Sequence, residues 1–199
     1  VMMPRMDGLT LCETLKTDDR TSHIPIILLT AKATIASRLE GLEKGADAYL
    51  AKPFQREELL LRLDKLVELR KRLQKHFNAT GTLLEAIRDN KEPTPDQRFV
   101  QTLLRLIKQR LDDPDLSVVD LCRAVKRSNT QVNRKLKALT GKTPSQFIRF
   151  VRLQHALELL KTSDLNISEI AYQVGFSNAN YFSRAFSEEF GTAPSGVRK

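Results

Sequence analysis

Apolar and polar positions in the second half of the chain alternate at helical spacing, and the whole pattern occurs twice. LSVVDLCRAVKRS (116–128) aligns without a gap on LNISEIAYQVGFS (165–177), pairing Val118 with Ile167, Leu121 with Ile170 and Val125 with Val174. Each copy opens with a polar residue and an acid three positions later, Ser117 with Asp120 and Asn166 with Glu169, a spacing that caps a helix start reciprocally. Ser128 and Ser177 then open a second helix after only a turn. The register slips by one there, so that Val132, Arg134, Leu136, Gly141, Pro144 and Ser145 match Phe182, Arg184, Phe186, Gly191, Pro194 and Ser195. Val132, Leu136 and Leu139, and likewise Phe182, Phe186 and Phe190, give each second helix a buried face and turn its polar residues outward. Between the copies, TPSQFIRFVRLQHALELLKTS (143–163) starts with a Thr cap and a Pro at the first helical position. It predicts a long amphipathic helix that holds the two units at a fixed separation.

The first half reads differently. IPIILLT (24–30) predicts a buried strand, ATIASRLEGLEKG (33–45) an amphipathic helix ending at Gly45, and ADAYLAKPF a second strand. Strand, helix, strand implies a parallel pair with a crossover, the element of a doubly wound α/β sheet. A long helix is expected from Gln55 to Phe77, apolar at Leu59, Leu63, Leu66, Val67, Leu69, Leu73 and Phe77. Leu59, Leu66 and Leu73 are seven apart, but Arg70 and His76 interrupt the companion row, so core packing is expected over a dimerising seam. Gly81, Pro93 and Pro95 mark residues 78–97 as a linker, and RFVQTLLRLIKQRLDD (98–113) as a helix closing near Pro114. The fold class is therefore mostly α: an all-α double helix-turn-helix domain (98–199), preceded by a truncated α/β fragment (1–77).

Charge separates the halves. Of the formal +9, residues 1–96 carry 16 Lys and Arg against 15 Asp and Glu, and residues 97–199 carry 17 against 9. A basic domain with few aromatics favours a polyanionic partner, because each cation that neutralises a phosphate releases condensed counterions. Cys12 and Cys122 predict reduced, buried thiols rather than a disulfide, and His23, His76 and His155 lack ligand spacing. The longest apolar run, Ile24 to Leu29, is broken by Pro25, so no membrane contact is expected and the cytoplasm is the expected compartment.

Residues 97–199, through RKLKALTGKTPSQFIRFVRLQHALELL and ISEIAYQVGFSNANYFSRAFSEEFGTAPS, resemble the AraC/XylS family DNA-binding domain, two helix-turn-helix units joined by one helix. The resemblance implies promoter recognition in successive major grooves. Amide and guanidinium side chains suit base edges there. The first unit offers Asn129, Thr130, Gln131, Asn133 and Arg134, and the second Asn178, Asn180, Tyr181, Ser183 and Arg184, with Ala179 among them. Lys135, Lys137, Lys142, Arg149 and Arg152 are expected on phosphates. One departure stands out: Lys126-Arg127 occupies the first turn, where the second copy has Gly175-Phe176. A non-Gly residue in a left-handed turn costs about 1 kcal/mol.

VMMPRMDG, the Thr of IILLTAKA and the KPF of AYLAKPF together resemble the response regulator receiver domain, over residues 1 to about 72. The resemblance implies that a phosphoacceptor Asp stood just before Val1 and that an acidic pair lay further upstream. What it leaves here is the receiving apparatus: Thr30 and Lys52 for phosphoryl oxygens, Tyr49 as the switch aromatic, a cis peptide before Pro53, and the Met2 carbonyl as a metal ligand in an intact receiver. No cofactor is expected in this chain, Mg being expected only for an intact receiver, and no catalytic residue.

Together these features predict a sequence-specific DNA-binding regulator at the output end of a two-component phosphorelay, a combination that often sits at the end of a hybrid membrane sensor kinase. Double-stranded DNA is the expected partner, with RNA polymerase and a homodimer through the receiver fragment as further ones. A phosphorelay acceptor and a protein-interaction module are the alternatives.

Overall fold

The computed structural model describes residues 6–31, 35–80 and 93–197. It divides into two compact regions, residues 1–99 with 138–140, and residues 100–137 with 141–199.

In the N-terminal region, α1 (Gly8–Thr17) starts where the Asp7 carboxylate accepts from the N–H groups of Leu9 and Thr10 at 2.8 and 2.9 Å. Sequence reading had not placed this helix, although Asp7 followed by a small residue and an apolar rhythm is its signal. Strand β1 (Ile27–Thr30), helix α2 (Ile35–Glu43) and strand β2 (Ala48–Ala51) follow. The strands pair in parallel, Leu28 opposite Tyr49 and Thr30 opposite Ala51, as the strand-helix-strand pattern requires. Ile24, Pro25 and Ile26 lie outside the strand, so the expected span is trimmed at its start. Cys12, Leu28, Ala46 and Tyr49 form a small core, and the Asp47 carboxylate ties it to Lys16 at 2.6 Å and to the Ile26 N–H at 2.7 Å. The Lys52–Pro53 peptide is cis.

Helix α3 (Arg56–Thr80) runs three residues beyond its expected end. Among its described side chains Leu59 and Leu66 are half-buried and none is fully buried. Leu60, Leu61, Leu63, Val67 and Leu69 are exposed, Leu61 at 59 %, which corrects the expectation of core packing: a two-stranded sheet offers too little surface to cover them. The side chains of Leu73, His76 and Phe77, residues 81–92 of the expected linker, and Met2 lie outside the described residues.

Helix α4 (Pro95–Gln109) begins inside the expected linker and belongs to the C-terminal region from Val100 onward. Thr94 caps it: the Gln97 N–H donates to the Thr94 hydroxyl at 3.2 Å, and the Thr94 N–H to the Gln97 side chain at 2.7 Å. Thr94-Pro95-Asp96-Gln97 thus repeats the logic of Thr143-Pro144-Ser145-Gln146, a signal available in the sequence. Helices α5 (Val118–Ala124) and α6 (Asn129–Thr140) form the first helix-turn-helix. Helix α7 (Pro144–Thr162) joins it to the second, α8 (Ile167–Gln173) and α9 (Ala179–Phe190), and α10 (Pro194–Val197) closes the chain. Phe147, Ile148, Phe150, Val151, Arg152 and Leu153 are all buried, so the middle turns of α7 are enclosed more widely than the single apolar face expected, while Ser145, Gln146, Glu158 and Lys161 are exposed towards its ends. It packs against α5, α8, α9 and α10. Cys122 is half-buried, not buried as expected.

The two turns reach the same backbone shape with different residues. Lys126 has φ 51° and Gly175 φ 78°, both left-handed. A Cβ on Gly175 would stand 2.4 Å from the Leu111 carbonyl oxygen and 2.8 Å from a terminal nitrogen of Arg152, whereas Lys126 carries its side chain into solvent. Replacing Lys126 by Gly relieves the left-handed strain and is expected to raise stability by about 1 kcal/mol, while Gly175→Ala adds strain and collision and lowers it by at least about 2 kcal/mol. Chemical denaturation of the two variants measures both; opposite signs are expected.

Candidate nucleic-acid interface

Each helix-turn-helix is fixed at the start of both its helices. Asp120 accepts from the Ser117 N–H at 2.9 Å and the Ser117 hydroxyl at 2.7 Å, and Arg110 approaches its other oxygen at 3.3 Å. The Ser117 hydroxyl first, then its N–H, and the Arg110 bond hold the Asp120 carboxyl at about 2, below the ordinary 3.8. In the second copy Glu169 accepts from the Asn166 N–H at 2.6 Å and Asn166 from the Glu169 N–H at 2.9 Å.

The second helices, α6 and α9, are twelve residues each and end at left-handed glycines, Gly141 and Gly191. Val132 and Leu136 anchor α6, and Phe182, Ala185 and Phe186 anchor α9. Around α9 the rings of Phe176, Phe182, Phe186 and Phe190 stand 4.6–5.7 Å apart in sequence, an aromatic core that the first unit lacks. These anchors leave Asn129, Thr130, Asn133 and Arg134 exposed on α6, and Asn180, Tyr181 and Arg184 exposed on α9, Tyr181 at 49 %. Ala179 and Ser183 are half-buried, and the Ser183 hydroxyl donates to the Ala179 carbonyl at 3.0 Å.

Two of the expected base-reading residues also serve the backbone. The Gln131 side chain accepts from the Ser128 N–H at 3.1 Å, and Asn178, not Ser177, caps α9 by accepting from the Tyr181 N–H at 2.9 Å. Among the expected phosphate contacts, Lys137 is exposed and Arg149 half-exposed, its guanidinium 3.4 Å from the Tyr181 hydroxyl. The other three are corrected. Lys135 is buried at 4 % exposure. Arg152, at 9 %, donates to the Asp113 carbonyl from inside the region, its pKa lowered by burial. Lys142 pairs with Glu189 at 2.9 Å and lies 4.4 Å from the centre of the Phe150 ring. Spacing alone puts these cations on an outer face; the enclosure of α7 and its junction with α6 turns them inward.

Two hollows lie along this surface. One, of about 650 Å³, is bounded by the first turn of α5, the early part of α7 and the lead into α9; the other, of about 330 Å³, lies against Asn129, Thr130 and Asn133. The exposed hydroxyls of Ser145 and Ser177 line them, and sequence reading had not singled these out because they stand on neither recognition face.

In the N-terminal region Thr30 is 1 % exposed and Tyr49 is buried beside Leu28, while Lys52 lies in solvent. Among the described residues no three His, Cys, Asp or Glu side chains gather as a metal site, so they do not fit the divalent cation of a working receiver.

Comparison with known proteins agrees with this geometry. Residues 121–199 match the family described as helix-turn-helix domain, and residues 1–64 the response regulator receiver domain. The chain is thus similar to a receiver domain over its first part and to a helix-turn-helix domain over its last. It is 36 % identical, over 98 % of its own length, to the protein named histidine kinase P4 of Formosa agariphila, of which it spans only 14 %. Over 34 % of its length it is 45 % identical to the transcriptional regulator RpaA of Synechocystis, spanning 28 % of that protein. The C-terminal domain of AraT, a response regulator from Geobacillus stearothermophilus, is similar at 28 % identity with a TM-score of 0.46, over 50 % of this chain and 83 % of that one. Among the described residues no helix is long and apolar enough to cross a membrane.

Asp120 also sets a pH dependence. Its folded pKa lies below the unfolded value, so its stabilisation of the first unit is complete above about pH 4 and is lost as pH falls toward 2. Thermal melts across pH 2–6 are expected to show this loss in the native chain, and Asp120→Asn to flatten that part of the profile.

Proposed function

We propose that this chain is the DNA-binding output of a two-component signalling protein and acts as a sequence-specific transcriptional regulator. The observation that carries this is the paired arrangement: two capped helices of equal length present Asn129, Thr130, Asn133 and Arg134, and Asn180, Tyr181, Ser183 and Arg184, from one compact region. Asn and Arg make the bidentate pairs that discriminate adenine and guanine in the major groove. The DNA-binding domain begins at the Thr94 cap, and Lys137 and Arg149 are its surface cations for phosphate.

In this reading the N-terminal segment carries no phosphotransfer of its own, Thr30, Tyr49 and Lys52 acting only as part of a complete receiver with its Mg. The exposed apolar residues of α3 support self-association through that segment. Regulation takes place in the cytoplasm, where a bound promoter brings the chain to RNA polymerase.

Selection from a random duplex pool tests the reading. A preferred site of two half-sites is expected, its binding surviving a large excess of random duplex. Arg184→Ala is expected to relax discrimination at one or two positions, at a cost of about 1–3 kcal/mol on the selected site and little on random duplex. Binding indifferent to sequence would instead favour a protein-interaction module.

A further inference from the structure

Two half-sites can be read together only at one spacing, because each base pair added between them moves the second by about 3.4 Å and turns it by about a tenth of a helical turn. Packing holds the two reading helices unequally. Helix α9 packs directly on α7, whereas α6 is not among the helices that lie closely along α7 and joins it through the left-handed turn at Gly141 and the cap at Thr143.

Lys142 stands in that turn, and its ammonium donates to Glu189 Oε1, on the last turn of α9, at 2.9 Å. It also lies 4.4 Å from the centre of the Phe150 ring on α7, so one charge meets the end of α6, the flank of α7 and the end of α9. The Lys142 and Glu189 side chains are only 14 % and 22 % exposed, which limits screening by salt. Two features assign the pair to the junction rather than to either unit alone. Glu189 puts a negative charge in the last turn of α9, where the helix dipole disfavours it, so the acid gains nothing from its own helix. Neither residue recurs in the repeat: the counterparts of Lys142 and Glu189 are Thr192 and Leu139.

We propose that Lys142 and Glu189 are positioning residues for the duplex: their ion pair ties the trailing end of α6 to that of α9 and so selects the number of base pairs between the half-sites, touching neither base nor phosphate. A half-site displaced by one base pair asks α6 and α9 to move by about 3.4 Å relative to each other, enough to open a contact of 2.9 Å. This rests on the duplex-binding reading above and adds to it a choice of spacing.

The test uses the full chain and the duplex enriched from the random pool, rebuilt with its half-sites one base pair closer, unchanged, and one base pair further apart. The native chain is expected to prefer the enriched spacing. Glu189→Gln and Lys142→Met are each expected to reduce that preference about fivefold while leaving the slope of log affinity against log salt unchanged. Glu189→Gln is also the folding control: loss of the acid relieves the last turn of α9, so its melting temperature is expected to hold. Exchanging the charges, Lys142→Glu with Glu189→Lys, is expected to restore part of the preference. Equal weakening at all three spacings by Lys142→Met, with a salt slope smaller by about 0.9, would overturn the tie and make Lys142 a phosphate contact. An unchanged spacing profile in both single variants, with the selected site still preferred, would overturn the tie alone. Failure to enrich any site would overturn the duplex-binding reading and the tie with it.

Discussion

Burial of the middle turns of α7 is the constraint from which the C-terminal region takes its form. An exposed connecting helix could tilt, and two helix-turn-helix units on it would point wherever thermal motion took them. Here Phe147, Phe150 and Val151 share one face of the helix while Ile148 and Arg152 are buried on another, and α5, α8, α9 and α10 pack against it. Close-packed interiors resist sliding, since any shift opens voids or forces strained rotamers. The angle between α6 and α9 is thus set by side-chain volume, and the same enclosure explains why Arg152 is drawn inside.

The units so held are alike in backbone and unlike in substance. The second is built on four phenylalanines and a glycine turn that nothing larger fits. The first relies on Val132, Leu136 and Leu121, with a lysine in the strained turn position. Its cohesion leans more on charge, through Arg110 shared between Asp113 and Asp120 at the mouth of α5. Salt and acid therefore bear on the first unit more than on the second.

Much of this was legible from residues alone. The 49-residue repeat gave both helix-turn-helix units, because caps and apolar spacing are local properties, and the parallel strand pair followed from a short apolar run on each side of a helix. What stayed hidden depended on neighbours distant in sequence. Lys135, Lys142 and Arg152 read as surface cations until packing showed what enclosed them. Gln131 and Asn178 have the chemistry of base readers and of caps alike, and their capping bonds became visible only in the fold. The start of α4 was missed although TPDQ differs from TPSQ at one position: a pair of prolines read as a linker when the second of them opens a helix.

That proline has a consequence for signalling. The ring of Pro95 crowds the residue before it out of helical conformation, and Thr94 is committed to capping, so no helix arriving from upstream can continue into α4. A helical rotation arriving from before Thr94 thus cannot pass into α4 as the turning of one unbroken rod. Tolerance of varied spacing ahead of Thr94 is therefore the trait to look for among natural relatives.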